Sequence, residues 1–594
     1  MKKEEFEQQI KKYEEILEQQ NKTFKTIGFI KLFHVIFIGW IIYLIFAANA
    51  STTTLIISGI IAVALIVFWI YHEKLKKQIN YSKGIISINW RHLDRISGNW
   101  TGFSDIGSEF VNHNHPYASD LDIVGKKSVF QFLNTTRTWH GRQKFADDLL
   151  NPNYSDDEIT QRQEAISELS EDIVFANHIE YKFAQIGVHA GAKFIAKRLE
   201  NQKPFIKSNF LKLLAIYSPL AVLFFAGNVF LTRSTSLYPA VAILAICQLL
   251  VWVLSFFPSA KYLEDVSHLS YNLAEYGEAV QVLQNRNFKS DKLVEIGKSL
   301  ADSEISAYIA IKELSQIANR ANLRRNTIAW IILNTTLLWD LTTAIRFGAW
   351  RSKYAKHAES WFISLGEFES LLSFSHLPNV CSQTCVPTII DNKAVLAKKL
   401  GHPLITNKAR VSNDVDCNNQ IFIISGSNMS GKTTLLRSVG VNLILARAGS
   451  FVCAEAMKFS QLDIVTSMRI ADDLSEGIST FYAELKRIKG IIEMARKTSE
   501  MMFLIDEIFR GTNSIDRLSG AKTVLEKLDE LGVIGMITTH DLELCEIAND
   551  NPRIKNYSFS ESYSENEIHF DYKMKEGISR TTNAKYLMKM MDII

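Results

Sequence analysis

The residues with the plainest chemical use are Gly426–Thr434, GSNMSGKTT. Two glycines separated by four residues, then Lys and Thr, set after an apolar strand and at a helix start, make a phosphate-binding loop. Gly426 and Gly431 let the backbone wrap the phosphates; Ser427, Asn428, Met429 and Ser430 complete the loop between them. The helix that follows turns its free N–H groups and its dipole toward the anion. Lys432 reaches the β- and γ-phosphates, Thr433 ligates Mg2+, and Thr434 closes the motif. The cofactors expected are therefore ATP and Mg2+.

A second motif is MMFLIDE, Met501–Glu507. An apolar strand ending in Asp-Glu says little alone. Downstream of a phosphate loop it assigns Asp506 to Mg2+ through water and Glu507 to the general base that polarises the attacking water. His540 follows the run Val533–Thr539. An isolated histidine there is more often a surface residue; beside the other two motifs, its imidazole is expected to sense the γ-phosphate by a hydrogen bond. Glu507, His540 and Lys432 form the catalytic expectation.

From Asn413 onward short β-rich runs alternate with helices. Strands are expected at Ile421–Ser425, Met502–Ile505 and Val533–Thr539, and helices at Lys432–Ala446 and Arg517–Leu531. That alternation indicates a parallel sheet covered by helices. Tyr557–Ser562 and Glu567–Tyr572 read as a hairpin with Glu-Asn at its turn. Upstream the chain is helical. Residues 1–26 carry Phe6, Ile10, Tyr13 and Leu17 on one stripe. Residues 85–210 and 261–375 are mostly helical, with helical spacing from Asp120 to Leu150, a turn at Asn151-Pro152 and a new helix opened by Asp156, Asp157 and Glu158. Pro378, Pro387 and Pro403 mark a boundary before the α/β part.

Four apolar stretches approach the length of about 20 residues that crosses roughly 30 Å of hydrocarbon: Leu32–Ala48, Thr54–Tyr71, Leu213–Leu231 and Leu237–Phe257. They form two hairpins. Lys22, Lys25, Lys31, Lys74, Lys76 and Lys77 flank the first; Lys203, Lys207, Lys212 and Lys261 flank the second. The positive-inside rule places both termini and every large segment in the cytoplasm, with the chain a multi-pass protein of the cytoplasmic membrane. A fifth run, Ile328–Leu341, contains Asn334 and Asp340 and reads as a helix of the soluble part.

Composition narrows little further. The 594 residues are too many for one ordinary domain, and a net charge of +3 neither indicates nor excludes a nucleic-acid partner. Among six cysteines, Cys381 and Cys385 lack a second ligand pair, so no zinc is expected. His113-Asn114-His115 spells a nuclease-like triplet without a metal-site context, and a loop is expected there.

With these residues in hand, the C-terminal part resembles the MutS DNA mismatch-repair ATPases, within the ABC-type ATPase class. The likeness runs in family order through HPLI (His402–Ile405), Asn413-Asp414, the phosphate loop, GSFVCAEA (Gly449–Ala456), DDLSEGISTFYAEL (Asp472–Leu485), DEIFRGTNSID (Asp506–Asp516), TTHD (Thr538–Asp541) and YKMKEG (Tyr572–Gly577). Upstream, Asp120–Pro152 resembles the start of the family's helical core and Leu365–Ser373 its end. The fold this implies is multidomain: an α-helical core and lever region with two transmembrane helical hairpins, plus a C-terminal α/β P-loop ATPase domain of ABC type. The implied domains are a cytosolic amphipathic helix at 1–26, hairpins at 27–72 and 211–258, core at 73–210 and 259–395, and ATPase at 396–594.

The resemblance implies a homodimer with composite ATP sites, in which Ser479 of one subunit approaches the γ-phosphate held by the other. It also implies double-stranded DNA, mismatched or otherwise structured, as a ligand. The sequence departs from the family as well. The first hairpin stands where the mismatch-reading domain is expected, no Phe-x-Glu wedge is found, and the family's helix-turn-helix tail is not expected before Ile594. Arg410 stands about where the family has an adenine-stacking Phe. The alternatives are an ABC-type transport ATPase, which lacks an LSGGQ-like signature here, and a membrane ATPase scaffold acting on a protein partner.

Overall fold

Ile421–Ser425 (β4), Met501–Asp506 (β7) and Ile534–Thr539 (β8) are buried at every residue. Strands covered on both faces read as continuous apolar runs rather than alternating ones. With Asp463–Ser467 (β6), Ile554–Ser564 (β9) and Glu567–Glu576 (β10), they form a six-stranded sheet in the order β10-β9-β4-β8-β7-β6. Neighbours run parallel except β9 and β10. The register pairs Ser425 with Thr539 and Asp506 with Thr538, so three strands end at one level. Loops at the carboxyl ends of parallel strands are where such sheets hold ligands. Phe503, Ile505 and Ile537 of the sheet share a core with Ile491, Leu525 and Leu528 of the helices Thr480–Ala495 and Ser514–Glu530. A smaller sheet joins Thr388–Ile389 (β1), Ala394–Leu400 (β2), Asn413–Asn418 (β3) and Ala456–Phe459 (β5) in the order β1-β5-β2-β3.

This computed structural model describes residues 2–47, 52–187, 205, 209–232, 235–267, 273–301, 305–469, 480–509, 513–564 and 567–579. They divide into two compact units: Met1–Leu133, Ile173–Tyr181 and Ser375–Ile594 in one, Asn134–Asp172 and Lys182–Phe374 in the other. The turn expected at Glu-Asn between β9 and β10, residues 565–566, lies outside the described residues.

In the first unit, the amphipathic stripe of residues 1–26 continues without a break as Lys3–Ala47, which packs on Thr52–Ser97 through Ile27, Leu75 and Ile79. The helical spacing from Asp120 does not hold. Asp122, Gly125 and Lys127 have positive φ, which ends any helix there; helices occupy only Val129–Leu133 and, in the second unit, Trp139–Leu150. Asp156 does open a helix, behind a Ser155–Glu158 capping box.

The second unit carries Asn209–Thr232 and Tyr238–Ser267, whose Phe230 and Leu254 are 84% and 77% exposed. The polar Gln248 is absorbed by donating to Thr335 O and Thr336 O at 2.7 and 2.9 Å. Those carbonyls belong to the fifth apolar run, which is two helices rather than the one expected. It breaks at Leu338, φ 48°, into Thr327–Leu337 and Trp339–Ser375, bent by 78°. Asn334 and Asp340 are buried inside it: Asp340 N donates to Asn334 Oδ1, and the Asp340 carboxylate accepts from Trp330 Nε1 and Arg324.

Among the described residues, three helices are long and apolar enough to cross a membrane, or four if this bent pair is one span. Three of the four expected stretches coincide with those helices. The first, Leu32–Ala48, ends the helix Lys3–Ala47 and lies partly outside the described residues.

Candidate active site

Gly426 and Gly431 have φ of 149° and 109°, and a Cβ on Gly426 would lie 2.9 Å from Phe559 O. Only glycine accepts both the angle and the close approach. The loop curls around the Lys432 ammonium, which is buried and donates to Gly426 O and Ser427 O, both at 2.8 Å. Ser430 Oγ donates to Ser427 O, and Ser427 Oγ to Glu561 Oε2 on β9, each at 2.8 Å. Met429, φ 67° and 85% exposed, stands at the loop's outer edge.

Where β4, β7 and β8 end together, Asp506 accepts from Thr433 Oγ1 at 2.9 Å and from Thr538 Oγ1 at 2.6 Å. A hydroxyl beside a carboxylate is an all-oxygen donor set and fits a hard cation such as Mg2+. Glu507, next along, has φ 54°, a costly angle for a non-glycine residue. Its N–H is fastened to Thr538 O and Oγ1 at 3.2 and 3.0 Å. Its Oε1 lies 2.7 Å from His540 Nε2, which is also 2.9 Å from Asn428 Oδ1. A nitrogen facing two acceptor oxygens carries the ring proton.

The predicted residues thus gather in two groups. Gly426, Ser427, Ser430, Gly431 and Lys432 shape the loop; Thr433, Asp506, Glu507, His540 and Asn428 line its mouth. Thr434 turns instead to an adjoining cavity of about 130 Å³ that is also lined by Leu400, Ile405, Val411, Gly431 and Tyr572. Ser479 lies outside the described residues. Arg410 does not take an aromatic's place in that cavity. Its guanidinium folds back onto the carbonyls of His402 and Ile405 at 3.0 and 2.6 Å, and Val411 lines the cavity in its stead. His115 of the nuclease-like triplet accepts from Tyr117 N and Ala118 N, as a turn residue does.

Sequence reasoning missed Thr538, Glu561 and Tyr572. Thr538 and Tyr572 sit in stretches that resemble the family, but their tasks depend on neighbouring strands. Asn413 pins Tyr572 in place, accepting from Met574 N and donating to Tyr572 O at 2.8 and 3.0 Å. Asp120 is a further support. It is fully buried and accepts from Thr466 Oγ1, Met468 N, Arg469 N and Arg487 Nη2, at the root of the segment that leads to Ser479. Asp120→Ala is expected to cost about 3 kcal/mol by leaving Met468 N and Arg469 N without this acceptor, seen as a lower unfolding temperature of the full chain; an unchanged temperature would show the carboxylate is dispensable.

Residues 422–592 match the family described as MutS domain V. Among curated relatives, DNA mismatch repair protein MutS of Acetivibrio thermocellus is 35% identical over 223 residues, covering 36% of this chain and 25% of its own. The protein of the same name from Syntrophobacter fumaroxidans is 33% identical over 204 residues, covering 32% and 23%; that of Clostridium kluyveri is 35% identical over the same length and shares. The chain spans about a quarter of the length of the relatives it matches. These likenesses are confined to the C-terminal third of the chain, which is similar to MutS domain V.

Proposed function

We propose that this chain is a membrane-anchored MutS-type ATPase, working as a homodimer and coupling ATP hydrolysis to DNA binding. The observation that carries the ATPase is the meeting of Thr433–Asp506–Thr538 with Asn428–His540–Glu507 at the mouth of a glycine-shaped loop. Thr433 and Asp506 are the residues to hold Mg2+, which supplies positive charge against the phosphates when bound. Lys432 leaves the loop carbonyls to meet phosphate oxygens. Glu507 takes a proton from the attacking water, and His540 keeps the carboxylate oriented with its Nε2 proton. The cavity beside Gly431 suits a flat base against Tyr572. The DNA part rests on the relatives being DNA mismatch repair proteins by name, and the membrane part on the exposed apolar helices.

The test uses the full chain in detergent. Lys432→Ala is expected to weaken ATP binding by at least about tenfold, since one charge-assisted contact is worth about 1.5–3 kcal/mol; undiminished affinity would remove the phosphate assignment. Duplex, mismatched and branched DNA are then titrated at low salt with and without ATP. No binding to any of them would end the DNA reading and leave the ATPase reading standing.

A further inference from the structure

In the first unit, Glu180 is 1% exposed, and neither of its carboxylate oxygens has a hydrogen-bond partner. A buried carboxylate without hydrogen bonds is strongly disfavoured. His92 and His376, equally buried, turn Nε2 toward it from 3.9 and 3.5 Å, too far for a hydrogen bond. Both Nε2 atoms also lack a partner. The three come from separate segments: His92 from Thr52–Ser97, Glu180 from Ile173–Ile186 and His376 from the turn before Leu377–Val380.

One ligand atom from each lies within 4.8 Å of the other two. Two ligands on a tetrahedral zinc stand about 3.3 Å apart, given bonds of about 2.0–2.1 Å. A cation among them therefore needs movements of only about half an ångström to an ångström and a half. The surroundings hold the rings in place: Phe6 stacks on His92 at 4.7 Å, and the two imidazoles lie 4.6 Å apart. Asn177, one turn before Glu180, has an orphaned Oδ1 and adds an oxygen on the same helix face. Arg91 Nη1 is 3.9 Å from Glu180 Oε1 and does not reach hydrogen-bonding distance. Arg95 Nη1, 3.2 Å from His92 Nδ1, sets the ring proton on Nε2. A cation at Nε2 needs the ring's one proton on Nδ1 instead, so uptake selects the other tautomer and displaces Arg95 from Nδ1.

We propose that His92, Glu180 and His376 form a buried site for a divalent first-row transition metal, with zinc the expected occupant. Imidazole and carboxylate ligands select such ions over calcium. This departs from the absence of zinc expected from the cysteines, because the site uses none. Its burial makes it a structural tie between the helix that carries Thr54–Tyr71 and the segment that leads into the α/β sheets.

The experiment takes the full chain in detergent, without nucleotide. Elemental analysis is expected to find about one equivalent of metal per chain. After chelation, cobalt(II) should restore it with visible d–d absorption, and X-ray absorption should show light-atom ligands at about 2.0–2.1 Å. Asp506→Asn, which alters the nucleotide site, should keep the metal, whereas His376→Ala and Glu180→Gln should lose it. Absence of both metal and cobalt absorption in the unaltered protein would overturn the proposal, whatever the variants do. Full occupancy in both triad variants would overturn it as well.

Discussion

Glu507→Gln is expected to bind ATP within a few-fold of the unaltered protein and to turn it over about 10²–10⁴ times more slowly, the usual contribution of a general base. Gln is isosteric, and the main-chain bonds from Glu507 N to Thr538 do not involve the side chain. The left-handed backbone at Glu507 is therefore retained, and only the basicity is lost. His540→Ala, which removes the partner 2.7 Å from Oε1, should fall between the two because the base remains but is no longer oriented. Single-turnover hydrolysis beside equilibrium nucleotide binding separates these effects. Turnover unchanged in Glu507→Gln would mean that another group accepts the proton.

The second large effect is expected in the other compact unit. Asp148 is fully buried and accepts from Arg162 Nη2 at 2.8 Å, from Ser370 Oγ at 2.6 Å and from the Tyr154 hydroxyl, with Lys144 Nζ at 2.9 Å. Burial alone would raise its pKa, but Arg162 and Lys144 overrule it and hold the carboxyl below its ordinary range. Asp148→Ala removes the carboxylate that faces the buried Arg162 at 2.8 Å and should cost about 3–5 kcal/mol. Amide exchange of Trp139–Leu150 and Asp156–Glu171 in the full chain would then accelerate by roughly 10²–10⁴-fold. Acid should act in the same direction. A carboxyl with a depressed folded-state pKa binds its proton first in the unfolded chain, so its stabilisation is complete above about pH 4 and is lost as the pH falls through the folded value. Protection that is flat from pH 5 downward would show that the pair contributes nothing.

Much of the candidate site is legible locally. The phosphate loop, the run ending in Asp506-Glu507 and the run ending before His540 each declare strand, turn and helix start within a dozen residues, and β4, β7 and β8 fall within a residue or two of their expected limits. Thr538 was not legible as a support for Asp506, because that depends on β8 lying beside β7 in one register. Arg410 shows the same limit. Its position suggested a place near the base, and packing turned it onto carbonyl groups instead. The apolar run Ile328–Leu341 reads as one helix; that Asn334 and Asp340 hydrogen-bond around a break at Leu338 depends on the fold.

The sequence by itself determined the chemistry available: a loop that can hold phosphates, two carboxylates at a strand end, an imidazole downstream and apolar helices flanked by lysines. Those features are written in short spacings, where covalent geometry sets which groups are neighbours. Only the tertiary structure decided that His540 pairs with Glu507, that Tyr572 closes the cavity beside Gly431, and that His92, Glu180 and His376 face one another with no hydrogen bond between them. These contacts join residues far apart in the chain. Strand order, register and burial create them, and no local pattern encodes any of the three.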